Sequence, residues 1–184
     1  MALESPWFWT EFVFAWWILF PIYAANCIPP LARGKRPLDG GRTLGDGRRI
    51  LGDGKTVEGT ALGLAAGMAV IIAEIFLSPA LNAFGAEWSV TLPPLTLFAG
   101  LMLVLGAVLG DLGGSFIKRR LGYERGAKVR GLDRLNFILG ALLLAYWFIP
   151  ITPLMIAYML ILTPPLHRAL NVIGHKGGVK QVPW

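Results

Sequence analysis

The sequence predicts an all-α integral membrane protein of about five transmembrane helices, and three observations carry that prediction. The 184 residues are 55% hydrophobic and only 15% charged, with a mean hydropathy of +0.59, a balance outside the range of soluble domains. All 17 lysines and arginines fall in three blocks, Arg33 to Lys55, Lys118 to Arg134 and Arg168 to Lys180. Long apolar runs separate the blocks, and cations confined to alternate connections are the imprint of the positive-inside bias.

The first span is expected over about 7–28, with Trp7, Trp9, Trp16 and Trp17 among Phe and Ile, since aromatics favour the membrane interface. Residues Met1 to Ser5 lack the basic start of a cleaved signal, so this span is expected to be retained. Pro29-Pro30 ends it. The second span, about 60–77, carries Gly59, Gly63 and Gly67 at four-residue steps, a small-residue face for close helix packing. Its end is expected at Ser78-Pro79, which puts Glu74 at the external interface. The third, about 95–117, repeats the pattern with Gly106, Gly110 and Gly114. The fourth and fifth, about 134–149 and 151–165, are short for ~30 Å of hydrocarbon and must extend into their flanks or thin the bilayer. Pro164-Pro165 is expected to end or kink the fifth, leaving a tail over 166–184.

Five spans with every basic block on one side put the N-terminus outside. The loops 31–59 and 118–133 and the tail then gather at the cytoplasmic face of a single membrane domain. Cations placed there suit anionic lipid headgroups and small anionic substrates; no nucleic acid and no obligate protein partner is implied. Cys27 is the only cysteine, which excludes an intrachain disulfide and a cysteine metal site. His167 and His175 are not at ligand-pair spacing on a helix.

Two loops carry the chemistry. In the first, Asp-Gly recurs every seven residues, at Asp39, Asp46 and Asp53, followed by Arg42, Arg48 and Lys55. Glycine after aspartate lets backbone amides turn toward an anion; a basic loop lying on headgroups is the competing reading. A P-loop is excluded, because the glycine it needs five residues before Gly54 is Arg49. In the second, the apolar third helix abruptly carries Asp111, Ser115 and Lys118 on one face, then Arg119 and Arg120. After the loop, Asp133 and Arg134 repeat the acid-base pairing. A carboxylate at the mouth of a membrane helix is costly and marks a functional site. Two such carboxylates beside cations suggest metal-assisted phosphoryl or nucleotidyl transfer, with Mg²⁺ held by one or two carboxylates and substrate phosphates.

The run Gly110-Asp111-Leu112-x-x-Ser115-x-x-Lys118-Arg119, followed by Gly131-x-Asp133-Arg134-x-Asn136, resembles the signature of the CTP:phosphatidate cytidylyltransferase family. The chain is much shorter than that family's bacterial members, has Gly114 where they have Glu and Asn136 where they have a final Asp, and lacks their Pro-Gly-His-Gly-Gly stretch. With Gly52-Asp53-Gly54-Lys55-Thr56 and the Val182-Pro183-Trp184 end, these departures resemble the compact archaeal branch, the CDP-archaeol synthases. The resemblance implies reaction of CTP with a geranylgeranyl glycerol phosphate lipid in the bilayer, releasing pyrophosphate. Under it, Asp111 and Asp133 bind metal, Lys118, Arg119 and Arg134 neutralise the triphosphate, and Asp53, Lys55, Thr56 and Ser115 contact nucleotide or phosphate.

Three other classes compete. A non-enzymatic protein binding anionic lipid would tolerate neutralisation of Asp111. A transporter needs ionisable groups near the midplane, for which Glu74 is the only candidate. A CDP-alcohol phosphotransferase is suggested by the Asp-Gly repeats, but its Asp-Gly-x-x-Ala-Arg run is not matched.

Overall fold

The computed structural model describes residues 7–124, 127, 129 and 131–179. Lys128, Lys180 and the Val182-Pro183-Trp184 end lie outside the described residues. Among the described residues five α-helices follow in order: α1 Trp7–Cys27, α2 Val57–Gly85, α3 Leu97–Arg120, α4 Leu132–Ala145 and α5 Pro153–Lys176. No strand forms among the described residues; the first basic loop has only two isolated bridges, Pro37 to Thr56 and Thr43 to Arg49. Four of the helices, α1, α2, α3 and α5, are long and apolar enough to cross a membrane. The fourth expected span is a helix of 14 residues, about 21 Å long at 1.5 Å per residue. It ends at Ala145 rather than near 149.

Two further boundaries differ from expectation, both of these at prolines. α2 passes through Pro79 and ends at Gly85. Proline cannot donate to the carbonyl four residues back, and here the Ser78 hydroxyl donates to that Ile75 carbonyl at 3.1 Å instead. Hydroxyl neighbours of this kind are what make proline tolerable in membrane helices. Glu74 is therefore not near a helix end: it lies within α2, 4% exposed, with neither carboxylate oxygen hydrogen-bonded among the described residues. α5 likewise continues through Pro164-Pro165 to Lys176. The Tyr23 hydroxyl of α1 donates to the Thr163 carbonyl at 3.1 Å, tying α5 to the bundle beside the proline pair. Residues His167 and Asn171, expected in a solvated tail, are buried on the inner face of α5.

The core is apolar, built from Ile18, Leu19 and Ile22 of α1, Ile71 of α2, Leu103 and Val104 of α3, Phe137 and Ile138 of α4, and Met155 and Met159 of α5. Phe137 stands edge-on to Tyr23 at 5.4 Å and tilted against His167 at 5.8 Å. The closest packing joins α3 to α4 through the glycine steps. A Cβ on Gly110 would collide with the Asn136 carbonyl, one on Gly114 with the Asn136 side chain, and one on Gly106 with the Gly140 carbonyl. The two helices run antiparallel in that register, so the acidic start of α4 meets the cationic end of α3. The third-helix glycines thus act as expected, bringing a neighbouring backbone close.

Candidate active site

The first basic loop is held in a fixed shape by its own aspartates. Asp39 is 8% exposed; its carboxylate accepts from the amides of Gly41 at 3.1 Å, Leu51 at 2.9 Å and Gly52 at 2.9 Å. Arg49 completes the set, donating to Asp39 Oδ1 at 2.6 Å and to Oδ2 at 3.3 Å. The guanidinium, with the three amides, holds the Asp39 carboxyl well below the usual carboxylate range. Arg49 also donates to Asp53 Oδ1 at 2.6 Å, and the two carboxylates push its own pKa above the ordinary arginine value. Gly52 turns at φ 90°, a conformation that favours glycine. Its open side faces Arg119, whose side chain a Cβ there would touch at 3.8 to 4.0 Å.

The loop is fastened to the end of α3. Arg120 donates to Asp46 Oδ1 at 2.6 Å and to the carbonyls of Arg48 and Arg49 at 3.0 and 2.5 Å. Arg48 returns a bond to the Arg120 carbonyl at 2.6 Å. The Asp46 carboxyl is lowered in turn, by the Arg48 amide first and then by Arg120. From this frame Lys55 reaches into the bundle, its Nζ donating to Asp111 Oδ2 at 2.5 Å. The side chains of this pair are only 26% and 28% exposed. The next residue, Thr56, caps α2 by accepting from the Gly59 amide at 3.1 Å, an ordinary N-cap role.

A second acid-base pair closes the α3–α4 junction. Lys118 Nζ donates to Asp133 Oδ1 at 2.5 Å, and Asp133 Oδ2 accepts from the Val129 amide at 2.7 Å. Ser115 is buried, 6% exposed, one turn below Lys118. Among the described residues neither Arg119 nor Arg134 forms an ion pair, and Arg119 Nε is buried without a hydrogen-bond partner. These two cations therefore retain donors for a ligand.

The residues expected at the site thus assemble unequally. Lys55 joins Asp111, Lys118 joins Asp133, and Arg119 lies against the Gly52 turn. Asp53 turns outward to Arg49, its side chain 57% exposed. Asp111 and Asp133 lie three residues to either side of the Gly114–Asn136 crossing, so their backbones stand about 9 Å apart along the helix axis. Each carboxylate is accordingly set beside its own lysine. No group of three or more His, Cys, Asp or Glu side chains forms among the described residues. The donor set still suits a hard cation that takes few protein oxygens and fills its shell with phosphate and water.

Sequence reasoning missed Asp39, Arg49 and Arg120. The Asp-Gly repeat at 39, 46 and 53 marks the loop, but its three aspartates face arginines of the chain itself, Asp39 and Asp53 turning to Arg49 and Asp46 to Arg120.

Comparison with known proteins follows the same line. A family model described as "CarS-like: CDP-archaeol synthase" matches residues 10–184. The CDP-archaeol synthase of Haloarcula marismortui is 46% identical over 178 residues, covering 94% of this chain and 96% of that protein. That of Thermococcus gammatolerans is 42% identical over 184 residues, 100% of both. A solved structure described as "Structural insight into an intramembrane enzyme for archaeal membrane lipids biosynthesis" superposes with a TM-score of 0.70 at 37% identity, covering 85% of this chain and 91% of that one. A helical bundle whose Gly-Asp-Gly-Lys-Thr loop is clamped to an aspartate of an apolar helix, matched over residues 10–184 by one family model, belongs to the CDP-archaeol synthase family.

Proposed function

We propose that this chain is a CTP:lipid-phosphate cytidylyltransferase that joins CTP to a geranylgeranyl glycerol phosphate, forming unsaturated CDP-archaeol and pyrophosphate. The observation that carries the reading is the Lys55–Asp111 pair, which couples a cationic glycine-rich loop to a carboxylate on a membrane helix. The relatives bear the name of the same synthase. The basic loops face the cytoplasm, where CTP is found, and the lipid arrives from the bilayer.

The reaction asks little of an acid or base. A phosphate monoester is mostly dianionic at neutral pH, its second pKa being ~6. One of its oxygens attacks the α-phosphorus of CTP. The new P–O bond forms as the bond from that phosphorus to the oxygen bridging to the β-phosphate breaks, and pyrophosphate leaves with the electron pair. What the protein must supply is neutralisation and alignment, because an anion approaches a polyanion. Arg119 and Arg134 have donors for the triphosphate, while Lys118 and Lys55 can turn from their aspartates toward phosphate oxygens. Asp111 and Asp133 would hold Mg²⁺, which offsets phosphate charge and orients the leaving group. Ser115 lies between them on α3 as a phosphate or nucleotide contact. Asp53 shapes the loop through Arg49, and Thr56 fixes the start of α2.

The direct test is incubation of purified protein with labelled CTP, Mg²⁺ and a polyprenyl glycerol phosphate. Labelled CDP-lipid and stoichiometric pyrophosphate are expected. Absence of both, with folded protein, would refute the assignment.

A further inference from the structure

The adjacent arginines at the end of α3 have unlike surroundings. Arg119 makes no ion pair among the described residues and faces the Gly52 turn. The two terminal nitrogens of Arg120 donate to Asp46 and to the Arg48 and Arg49 carbonyls, and its guanidinium carbon lies 5.4 Å from the centre of the Phe116 ring; only its Nε lacks a partner among the described residues. Three of its five N–H donors are thus committed to the first basic loop. Arg120 thus serves as a tie to the loop, whereas Arg119 beside it makes no ion pair among the described residues.

Its acceptors explain its use. The Arg48 and Arg49 carbonyls belong to the segment whose next side chain, Arg49, is anchored on buried Asp39. Asp39 in turn holds the Leu51 and Gly52 amides, and the Lys55 amide donates back to the Gly52 carbonyl at 3.1 Å. From Asp39 to Lys55 the loop is thus one hydrogen-bonded unit. Arg120 and the reciprocal Arg48 bond fix that unit to the helix bearing Asp111. Without the fastening, Lys55 would be left with its partly exposed ion pair to Asp111 and with the Leu38 amide's 2.7 Å bond to its carbonyl, and an ion pair in partial contact with water is weak.

We propose that Asp39 and Arg120 are positioning residues: together they form a clasp that presets the Gly-Asp-Gly-Lys-Thr loop so that Lys55 is held over Asp111 before nucleotide arrives. The kinetic part of this inference rests on the proposed cytidylyl transfer; the positional part does not. A preset loop avoids the ordering cost that a mobile one incurs on each binding event, so loss of the clasp falls on CTP and spares the lipid.

The experiment uses full-length protein in detergent and two readouts. First, nucleotide-free protein is treated with an amine-acylating reagent, and modification of Lys55 and Lys118 is followed by mass spectrometry. In Asp39→Asn and in Arg120→Ala, Lys55 is expected to react at least fivefold faster than in wild type, while Lys118, paired with Asp133 two helical turns along α3 from Asp111, keeps its rate. An unchanged Lys55 rate overturns the clasp, whatever the enzyme does. Second, the KM for CTP is expected to rise at least tenfold, with the KM for polyprenyl glycerol phosphate within twofold and kcat within threefold. Equal rises for both substrates, or a fall in kcat alone, would overturn the positioning role. If wild-type protein transfers no cytidylyl group, the proposed function fails while the acylation result still decides the clasp. Should Arg120→Ala accelerate Lys118 as well, signalling wider unfolding, the milder Asp46→Ala removes one of the three acceptors of Arg120 only. It must then raise the Lys55 rate at least twofold with Lys118 constant, and no rise refutes the proposal.

Discussion

Replacing Asp111 by Asn separates a chemical role from a structural one. The substitution keeps shape and a dipole but removes the charge that Lys55 faces at 2.5 Å. Because water reaches both members of that pair, its loss should cost the fold only ~1 kcal/mol. For a chain of this size that is a fall in Tm of about 2–4 °C. The catalytic cost should be far larger. One charge for a metal ion disappears, and the lysine it aligns is released, so cytidylyl transfer should drop at least ~100-fold, equivalent to ~2.7 kcal/mol of transition-state stabilisation. Activity would be followed as labelled CDP-lipid, and stability as thermal unfolding in detergent with and without CTP and Mg²⁺. The ligands together should raise the Tm of wild type and barely move that of Asp111→Asn. Combining the change with Lys55→Met should cost less than the sum of the two single changes, since each already breaks the same pair. Transfer within threefold of wild type, or equal ligand-induced stabilisation in both proteins, would refute the metal and alignment roles of Asp111.

Lys55→Ala should raise the KM for CTP with the folded protein retained in detergent; an unchanged KM for CTP alongside weaker binding to anionic vesicles would favour a headgroup role for the loop. Gly110→Ala places a methyl group against the Asn136 carbonyl and Gly140, and overpacking of this kind costs about 1–3 kcal/mol. Its Tm should fall while Gly113→Ala, where a Cβ meets nothing within 4 Å, stays near wild type. Reporters at the N-terminus and Glu87 should read external and those at Arg42, Lys128 and Lys180 cytoplasmic; a cytoplasmic Glu87 would invert the topology. Acid should loosen the first loop. Arg49 and the loop amides hold the Asp39 carboxyl below its ordinary value, so its stabilisation is complete above the unfolded pKa of ~3.9 and is lost as pH falls through the lower folded value. Hydrogen exchange of residues 39–53 should therefore quicken, relative to the rest of the chain, as pH falls below ~4. In Asp39→Asn the loop should already be loose at neutral pH and change little on acidification.

The membrane class, the helix order and the residues of the acid-base motif were all legible in the chain, because hydropathy, cation blocks and glycine steps are local quantities that survive without coordinates. The pairing of α3 with α4 was foreshadowed by Gly106, Gly110 and Gly114, which mark where a neighbour comes close but not which neighbour. Helix ends at prolines were not legible. Whether Pro79 stops α2 depends on one hydroxyl, that of Ser78, finding the carbonyl the proline leaves open, and whether Pro164-Pro165 stops α5 depends on packing against α1 and α4. The burial of Glu74 and of His167 and Asn171 followed from those two continuations. Within the site, the sequence identified Lys55, Asp111, Lys118 and Asp133 as charged residues out of place near a membrane. Their partition into Lys55 with Asp111 and Lys118 with Asp133 is a long-range matter, set by how the loop folds back on α3 and by the antiparallel register of α4. The same holds for Asp46 and Arg120: an aspartate followed by glycine signals a turn, but which cation it satisfies is decided only when the fold brings positions 74 apart in the chain to the same corner of the bundle.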